Sequence, residues 1–265
     1  MIKNKIKILR KKFDPLNIDG YIVPKNDEFF SEYASNDRLK TISNFSGSAG
    51  ISIILKNNNY LFVDGRYTIQ AQNESGKYFK IIQIHKNLPS SIIKDINLGF
   101  DPKLFTYKQL KYYFSNKNNL ISINKNLIDQ IYPKKIKKVK PFFSLNKNIV
   151  GENHQSKLNR VRNFLKSNKA DYLFVSAPEN VAWLLNIRGY NNPNSPIPNS
   201  RLIISKNNEL FLLAEKKNTL KIITEKKITK NQLIDPKNFV DLIDKLKIGN
   251  FILDNQSCSI FYEKI

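Results

Sequence analysis

The sequence predicts an α/β protein made of two related units in tandem with mixed sheets, the second unit incomplete. Three observations carry this expectation. Apolar residues recur alternately with helical and strand periods, an asparagine-turned hairpin occurs twice, and the segments around the two hairpins correspond at a nearly constant offset.

Ile2, Ile6, Leu9 and Phe13 recur at helical spacing, and Asp14-Pro15 closes that first helix. A strand follows over residues 21–24, then a polar turn from Lys25 to Glu28 and a second helical stretch. Residues 50–66, GISIILKNNNYLFVDGR, read as two apolar strands joined by Asn57, Asn58 and Asn59, residues that tolerate positive φ. After Asp64-Gly65-Arg66 the pattern gives a helix to about Ser75, then a strand over 79–84, a helix near Ile92 and a strand over 98–101. A helix over 106–114 and a strand over 120–123 complete the first unit.

From Glu152 the order begins again. Leu158, Val161, Phe164 and Leu165 share a helix face, and a strand is expected over 172–175. Residues 200–216 align with the first hairpin at an offset of 150. Lys206-Asn207-Asn208 then falls on Lys56-Asn57-Asn58, and Phe211-Leu212-Leu213 on Leu61-Phe62-Val63. Tyr172 falls on Tyr21 at 151 and Asp254 on Asp101 at 153. The expected domains are residues 1–150 and 151–265. Only eleven residues follow Asp254, so the second unit is expected to lack its final helix and strand, leaving a sheet edge unpaired and apolar surface bare.

Composition narrows the function. No apolar run of about 18 residues could span a bilayer, and the basic, amphipathic start from Met1 to Lys12 lacks the apolar block of a signal peptide. A cytoplasmic protein without membrane contact is expected. The single cysteine, Cys258, excludes an internal disulfide and a thiolate metal cluster, and is read as an inert thiol. The formal charge of +22 raises nucleic-acid binding, but only seven of the 44 basic residues are arginine, and asparagine, isoleucine and tyrosine are abundant. That mix favours a solvated lysine surface over a nucleic-acid partner. The densest run, Lys134, Lys135, Lys137, Lys138 and Lys140, reads as a connecting segment.

A hydrolytic metal centre needs three or more converging His, Asp, Glu or Cys ligands; His85 and His154 are the only histidines and neither belongs to a ligand pair. No metal ligand and no catalytic residue is assigned here. Ser46-Gly47-Ser48-Ala49-Gly50 precedes a strand, so it lacks the helix N-terminus of a phosphate loop. Two features stand apart. In Asp64-Gly65-Arg66-Tyr67 the planar fork of Arg66 could grip a carboxylate or peptide carbonyl, or could simply pair with Asp64 at the surface. In Ala182-Trp183-Leu184-Leu185-Asn186-Ile187-Arg188-Gly189, Trp183 and the leucines read as a helix's core face and Gly189 as its stop, before a proline-rich loop.

These segments resemble the Xaa-Pro aminopeptidases (aminopeptidase P) of the three-domain kind, related to creatinase. The likeness rests on Ser31-Glu32-Tyr33, on Asn44-Phe45-Ser46-Gly47-Ser48-Ala49-Gly50, and on Asp64-Gly65-Arg66-Tyr67 with Gln70-Ala71. It extends to Ala182-Trp183-Leu184 with Asn186-Ile187-Arg188-Gly189 and Ser195-Pro196. The resemblance implies two creatinase-like N-terminal domains preceding a pita-bread catalytic domain with two divalent metal ions, usually manganese. That third domain has no counterpart in these residues. The family removes an N-terminal residue that precedes proline. By resemblance Arg66 is a substrate-binding residue, the partners are a peptide with proline second, the chain's own catalytic domain and a second copy in a homodimer, and this segment alone is inactive. The other reading, a non-catalytic creatinase-like binding or oligomerisation module, stays open at this point.

Overall fold

A computed structural model of the chain describes residues 2–31, 33–34, 36–115, 117–133, 141–190 and 194–265. The lysine run at 134–140 and Glu32 of the Ser31-Glu32-Tyr33 motif lie outside the described residues. The chain divides into Met1–Ile136 with Ser259–Phe261, and Lys137–Cys258 with Tyr262–Ile265.

The first unit runs α1 (Ile2–Arg10), β1 (Gly20–Pro24), α2 (Arg38–Ser43), β2 (Gly50–Leu55), β3 (Asn59–Val63), α3 (Thr68–Ser75), β4 (Lys80–Gln83), α4 (Pro89–Ile92), β5 (Asn97–Phe100), α5 (Tyr107–Phe114), β6 (Asn119–Ser122) and α6 (Leu127–Ile131). Local chemistry sets several ends. Asp37 caps α2 by accepting from the Lys40 N–H. Thr106 and Gln109 form a reciprocal capping box at the start of α5. The strands order as β4-β3-β2-β1-β5-β6, with β2 antiparallel to both neighbours and every other pair parallel. Both faces are covered, which is why the central strands carry runs of consecutive apolar residues rather than an alternation. Tyr21, Val23, Ile54, Leu61 and Val63 pack on one face with residues of α1, α2 and α6. Ile22, Ile53, Phe62, Leu98 and Phe100 pack on the other with Leu110 and Phe114 of α5.

The second unit runs β7 (Phe143–Ser144), α7 (Lys147–Val150), α8 (His154–Ser167), β8 (Tyr172–Val175), α9 (Pro178–Leu185), β9 (Ile187–Arg188), β10 (Arg201–Ser205), β11 (Leu210–Leu213), α10 (Lys216–Thr224), β12 (Leu233–Ile234), α11 (Phe239–Leu246) and β13 (Phe251–Leu253). The last helix, α12 (Ile260–Glu263), has its first two residues in the first unit and its last two in the second. Its sheet orders as β12-β11-β10-β8-β13. Here β10 is antiparallel to both neighbours and the other pairs are parallel. This is the first sheet repeated strand for strand, with no neighbour beyond β13 among the described residues.

The structure corrects the sequence reading in several places. Residues 141–150, assigned above to the first unit, belong to the second: β7 pairs with β9, and fully buried Phe142 donates its N–H to Asn218 O at 2.6 Å. The repeat register also moves. Tyr21 pairs with Ile54 and Leu173 with Ile204, so Leu173, not Tyr172, occupies the place of Tyr21. Ile51 pairs with Phe62 and Arg201 with Leu213, which puts Leu213 on Phe62 because the second turn is one residue longer. A one-residue slip exchanges the two faces of a strand, so these shifts matter. Positive φ is used at Asn208 of the second turn, not at the three asparagines of the first. α9 ends at Asn186, whose left-handed conformation (φ 55°) lets its N–H reach the last turn; Gly189 lies beyond β9. Phe164 and Trp183, both read as core, are half exposed.

Candidate functional site

A cavity of about 310 Å³ opens at the carboxyl ends of β1, β3 and β4 in the first unit. Pro24, Gly50, Asp64 and His85 bring the strand ends to it, and Tyr112 and Tyr113 of α5 form an aromatic wall, their rings edge to face at 5.2 Å. Open α/β sheets place their ligands at this end of the strands. Phe30, which also lines the cavity, has φ 57°, a conformation that costs a bulky side chain free energy and that surrounding structure must impose. Asp27 supplies part of that constraint, its Oδ1 accepting from the N–H groups of Phe29 and Ser31.

Arg66 stands beside this cavity on a single 3-10 turn, Gly65–Tyr67, that leaves β3. Asp64 fixes the turn. Its Oδ1 accepts both from Arg66 N–H at 3.0 Å and from Arg66 Nε at 2.8 Å, and the latter bond chiefly keeps the Asp64 carboxyl below the usual carboxylate range. The Arg66 side chain is 74% exposed, and its guanidinium carbon lies 5.5 Å from the centre of the Tyr67 ring. The pairing with Asp64 read from the sequence is present, made through Nε, and the side chain around it is largely exposed.

The neighbouring motifs form the support of this turn. Tyr67 Oη meets Ser48 Oγ at 2.8 Å, and its ring packs edge-on against Phe45 at 5.9 Å. Gly47 permits that packing, since a Cβ there would lie 2.3 Å from Phe45 Cζ and 2.9 Å from Tyr67 Cδ1. Glu74 of α3 accepts from Ser46 N–H, Ser46 Oγ and Gln70 Nε2. Burial pushes the Glu74 carboxyl upward, yet these hydrogen bonds prevail and hold it below its usual value. The serine-glycine loop thus braces the arginine turn rather than cradling phosphate.

Other candidates take structural places. His85 sits at the cavity, whereas His154 opens α8 with its pKa lowered by burial. Cys258 is buried, and burial pushes its thiol up to about 12. Among the described residues, no three His, Cys, Asp or Glu side chains converge as a metal site. Likewise no helix among them is long and apolar enough to cross a membrane.

Two charged groups escaped sequence reading. Arg38, 1% exposed, is gripped by Asp129 of α6 through Nε (2.9 Å) and Nη2 (2.7 Å), while Nη2 also meets Glu28. Lys157, 3% exposed, sits 4.2 Å from the centre of the Trp183 ring and donates to Trp183 O and Asn186 Oδ1. Desolvation lowers its pKa. Nothing in either local sequence announces burial, because each charge goes inside only where a distant segment supplies its acceptors.

Residues 5–131 and 133–265 each match the creatinase/prolidase N-terminal domain family. The chain belongs to that family, and carries its domain twice. It is 30% identical over 244 residues to Xaa-Pro aminopeptidase 1 of Dictyostelium discoideum, covering 82% of this chain and 38% of that protein. To the Xaa-Pro aminopeptidase ApepP of Drosophila melanogaster it is 32% identical over 225 residues, covering 76% and 35%. The chain thus spans little more than a third of these relatives. In fold it is similar to X-prolyl aminopeptidase from Caenorhabditis elegans, at a TM-score of 0.80 and 23% identity, covering 94% of this chain and 45% of that one. The chain corresponds to the N-terminal region of an aminopeptidase P.

Proposed function

We propose that this chain is the substrate-orienting and dimer-forming N-terminal part of a cytoplasmic, metal-dependent Xaa-Pro aminopeptidase. The observation that carries this reading is Arg66: a largely exposed side chain on a single turn, held by Asp64 and braced by Tyr67 and Ser48, beside a cavity at the carboxyl ends of the strands. A guanidinium already oriented by a carboxylate can donate to a peptide carbonyl or terminal carboxylate at small entropic cost.

The two divalent metal ions that the resemblance implies find no fitting set of donors among the described residues. When bound in the catalytic domain they would supply the activated water; nothing in this chain is assigned to that step. Its residues bind and orient. Matching relatives are peptidases by name, which favours this reading over a non-catalytic module.

In the intact protein, Arg66→Ala is expected to lower kcat/KM for Xaa-Pro peptides by about 10- to 100-fold, the range for losing one charged hydrogen-bonding contact to substrate. The urea midpoint should stay within error, because the side chain is mostly exposed. Arg66→Lys should recover little, since an ammonium cannot reproduce the fork. Unchanged kcat/KM in Arg66→Ala would remove Arg66 from the site.

A further inference from the structure

The cavity beside Arg66 is lined wholly by residues of the first unit, and much of its wall is aromatic. Ile51, Phe62 and Phe105, each at most 5% exposed, are its buried lining, and Phe30, Tyr112 and Tyr113 stand around them. Phe30 is kept there in a left-handed conformation (φ 57°), which is unfavourable for a bulky side chain and typical of ligand clamps.

The repeat shows that the fold does not require this lining. With Leu213 on Phe62 and Ile234 on Ile82, Glu215 falls on Asp64, Lys217 on Arg66 and Lys237 on His85. Lys217 pairs with Glu215 at 3.0 Å as Arg66 pairs with Asp64. Around that second pair stand exposed Lys216, Asp235 and Lys237 with Pro236, and no aromatic residue. The same strand ends are thus built once with charge and once with rings.

The polar groups in the wall of the first cavity are already engaged. Lys25 pairs with Asp37, Asn26 Nδ2 donates to Leu104 O, and Ser48 meets Tyr67. Asp64 holds Arg66, and Gln109 Oε1 accepts from Thr106 N–H. His85, the remaining ionisable group apart from the tyrosines, is exposed. A charged occupant would give up its water for counter-charges that are committed elsewhere, whereas an apolar ring would bury its faces and meet ring edges. A volume of about 310 Å³ is small for a cofactor pocket and suits a single large side chain.

We propose that this cavity is a specificity subsite for an aromatic side chain of the substrate peptide, that of the residue following proline, with Arg66 donating to the main-chain oxygen beside it. The choice of peptide rests on the peptidase reading: no donor set for the metals converges among the described residues, which leaves this unit the part of the peptide remote from the cleaved bond.

The test titrates the 265-residue chain with Ala-Pro-Phe and with Ala-Pro-Gly, following binding by NMR chemical-shift change. Ala-Pro-Phe is expected to bind about 10- to 100-fold more tightly, the range for burying one large apolar side chain. Tyr112→Ala, at a half-exposed position, should cut that ratio at least about threefold, and Tyr112→Phe should keep it. Arg66→Ala should weaken both peptides alike. In the intact protein the ratio of kcat/KM for the two peptides should move in the same way. Equal binding of the two peptides, binding of neither, or a ratio untouched by Tyr112→Ala overturns the proposal. A ratio kept by the 265-residue chain while the intact protein hydrolyses neither peptide supports the subsite and fails the peptidase reading instead.

Discussion

At Arg66 the chain shows how a surface arginine becomes a directed one. Its fork is fixed by a carboxylate two residues away, the turn by Tyr67, and Tyr67 by a loop that only glycine at position 47 allows. Asp27 plays a comparable part beneath the cavity, at a cost. It is 6% exposed, and desolvation raises its pKa despite two backbone donors. A carboxyl raised in the folded state binds more protons there than in the unfolded chain, so its contribution to stability grows as pH falls through the raised value toward the ordinary one. Asp101 is raised for the same reason and acts in the same direction. Asp64 and Asp171, held low by their partners, act oppositely, losing stabilisation as pH falls below the ordinary carboxylate range. Asp27→Asn keeps the accepting oxygen and removes the buried charge. As pH falls from neutrality toward the ordinary carboxylate value, the urea midpoint of the wild type should gain on that of the variant; a constant difference at every pH would show that only the hydrogen bonds matter.

At the level of elements, α6 is short but tied to α2 by an ion pair whose arginine is buried and whose aspartate is partly exposed. Asp129→Ala leaves the Arg38 guanidinium, 1% exposed, without its bidentate partner, and should cost about 3 kcal/mol in urea unfolding, as for other broken buried pairs. Replacing both, Arg38→Met with Asp129→Leu, should cost less than Asp129→Ala alone. A single-variant loss below about 0.5 kcal/mol, the size of an ordinary surface change, would show the pair to be incidental. The elements themselves were largely legible: apolar spacing, Asp14-Pro15 and the asparagine turns placed the helices and strands of both hairpins. Their register was not. Strands covered on both faces carry apolar side chains at consecutive positions, so a one-residue difference in turn length leaves little mark in the pattern. Trp183 misled for a related reason. An apolar residue on an amphipathic helix signals that something covers it, and the described residues leave the groove beside Trp183 open. Arg66 was legible only in part: the motif named the residue, but its support by Ser48, Tyr67 and Glu74 depends on contacts 19 to 28 residues apart.

For the whole molecule, two copies of one domain follow one another along the chain. Each unit has its own core, and the first carries the candidate site. The formal charge of +22 enters the peptidase reading only as solubility, a role for which lysine, strongly hydrated, is suited. The most direct test of the central claim is hydrolysis of a matched pair of peptides, Ala-Pro-Phe and Ala-Ala-Phe, by the intact gene product and by the 265-residue chain, with and without added manganese. The account predicts that the intact protein releases alanine from Ala-Pro-Phe alone, that a chelator abolishes this, and that the 265-residue chain releases none. Metal-dependent cleavage by the 265-residue chain, or no preference for proline in the intact protein, would contradict it.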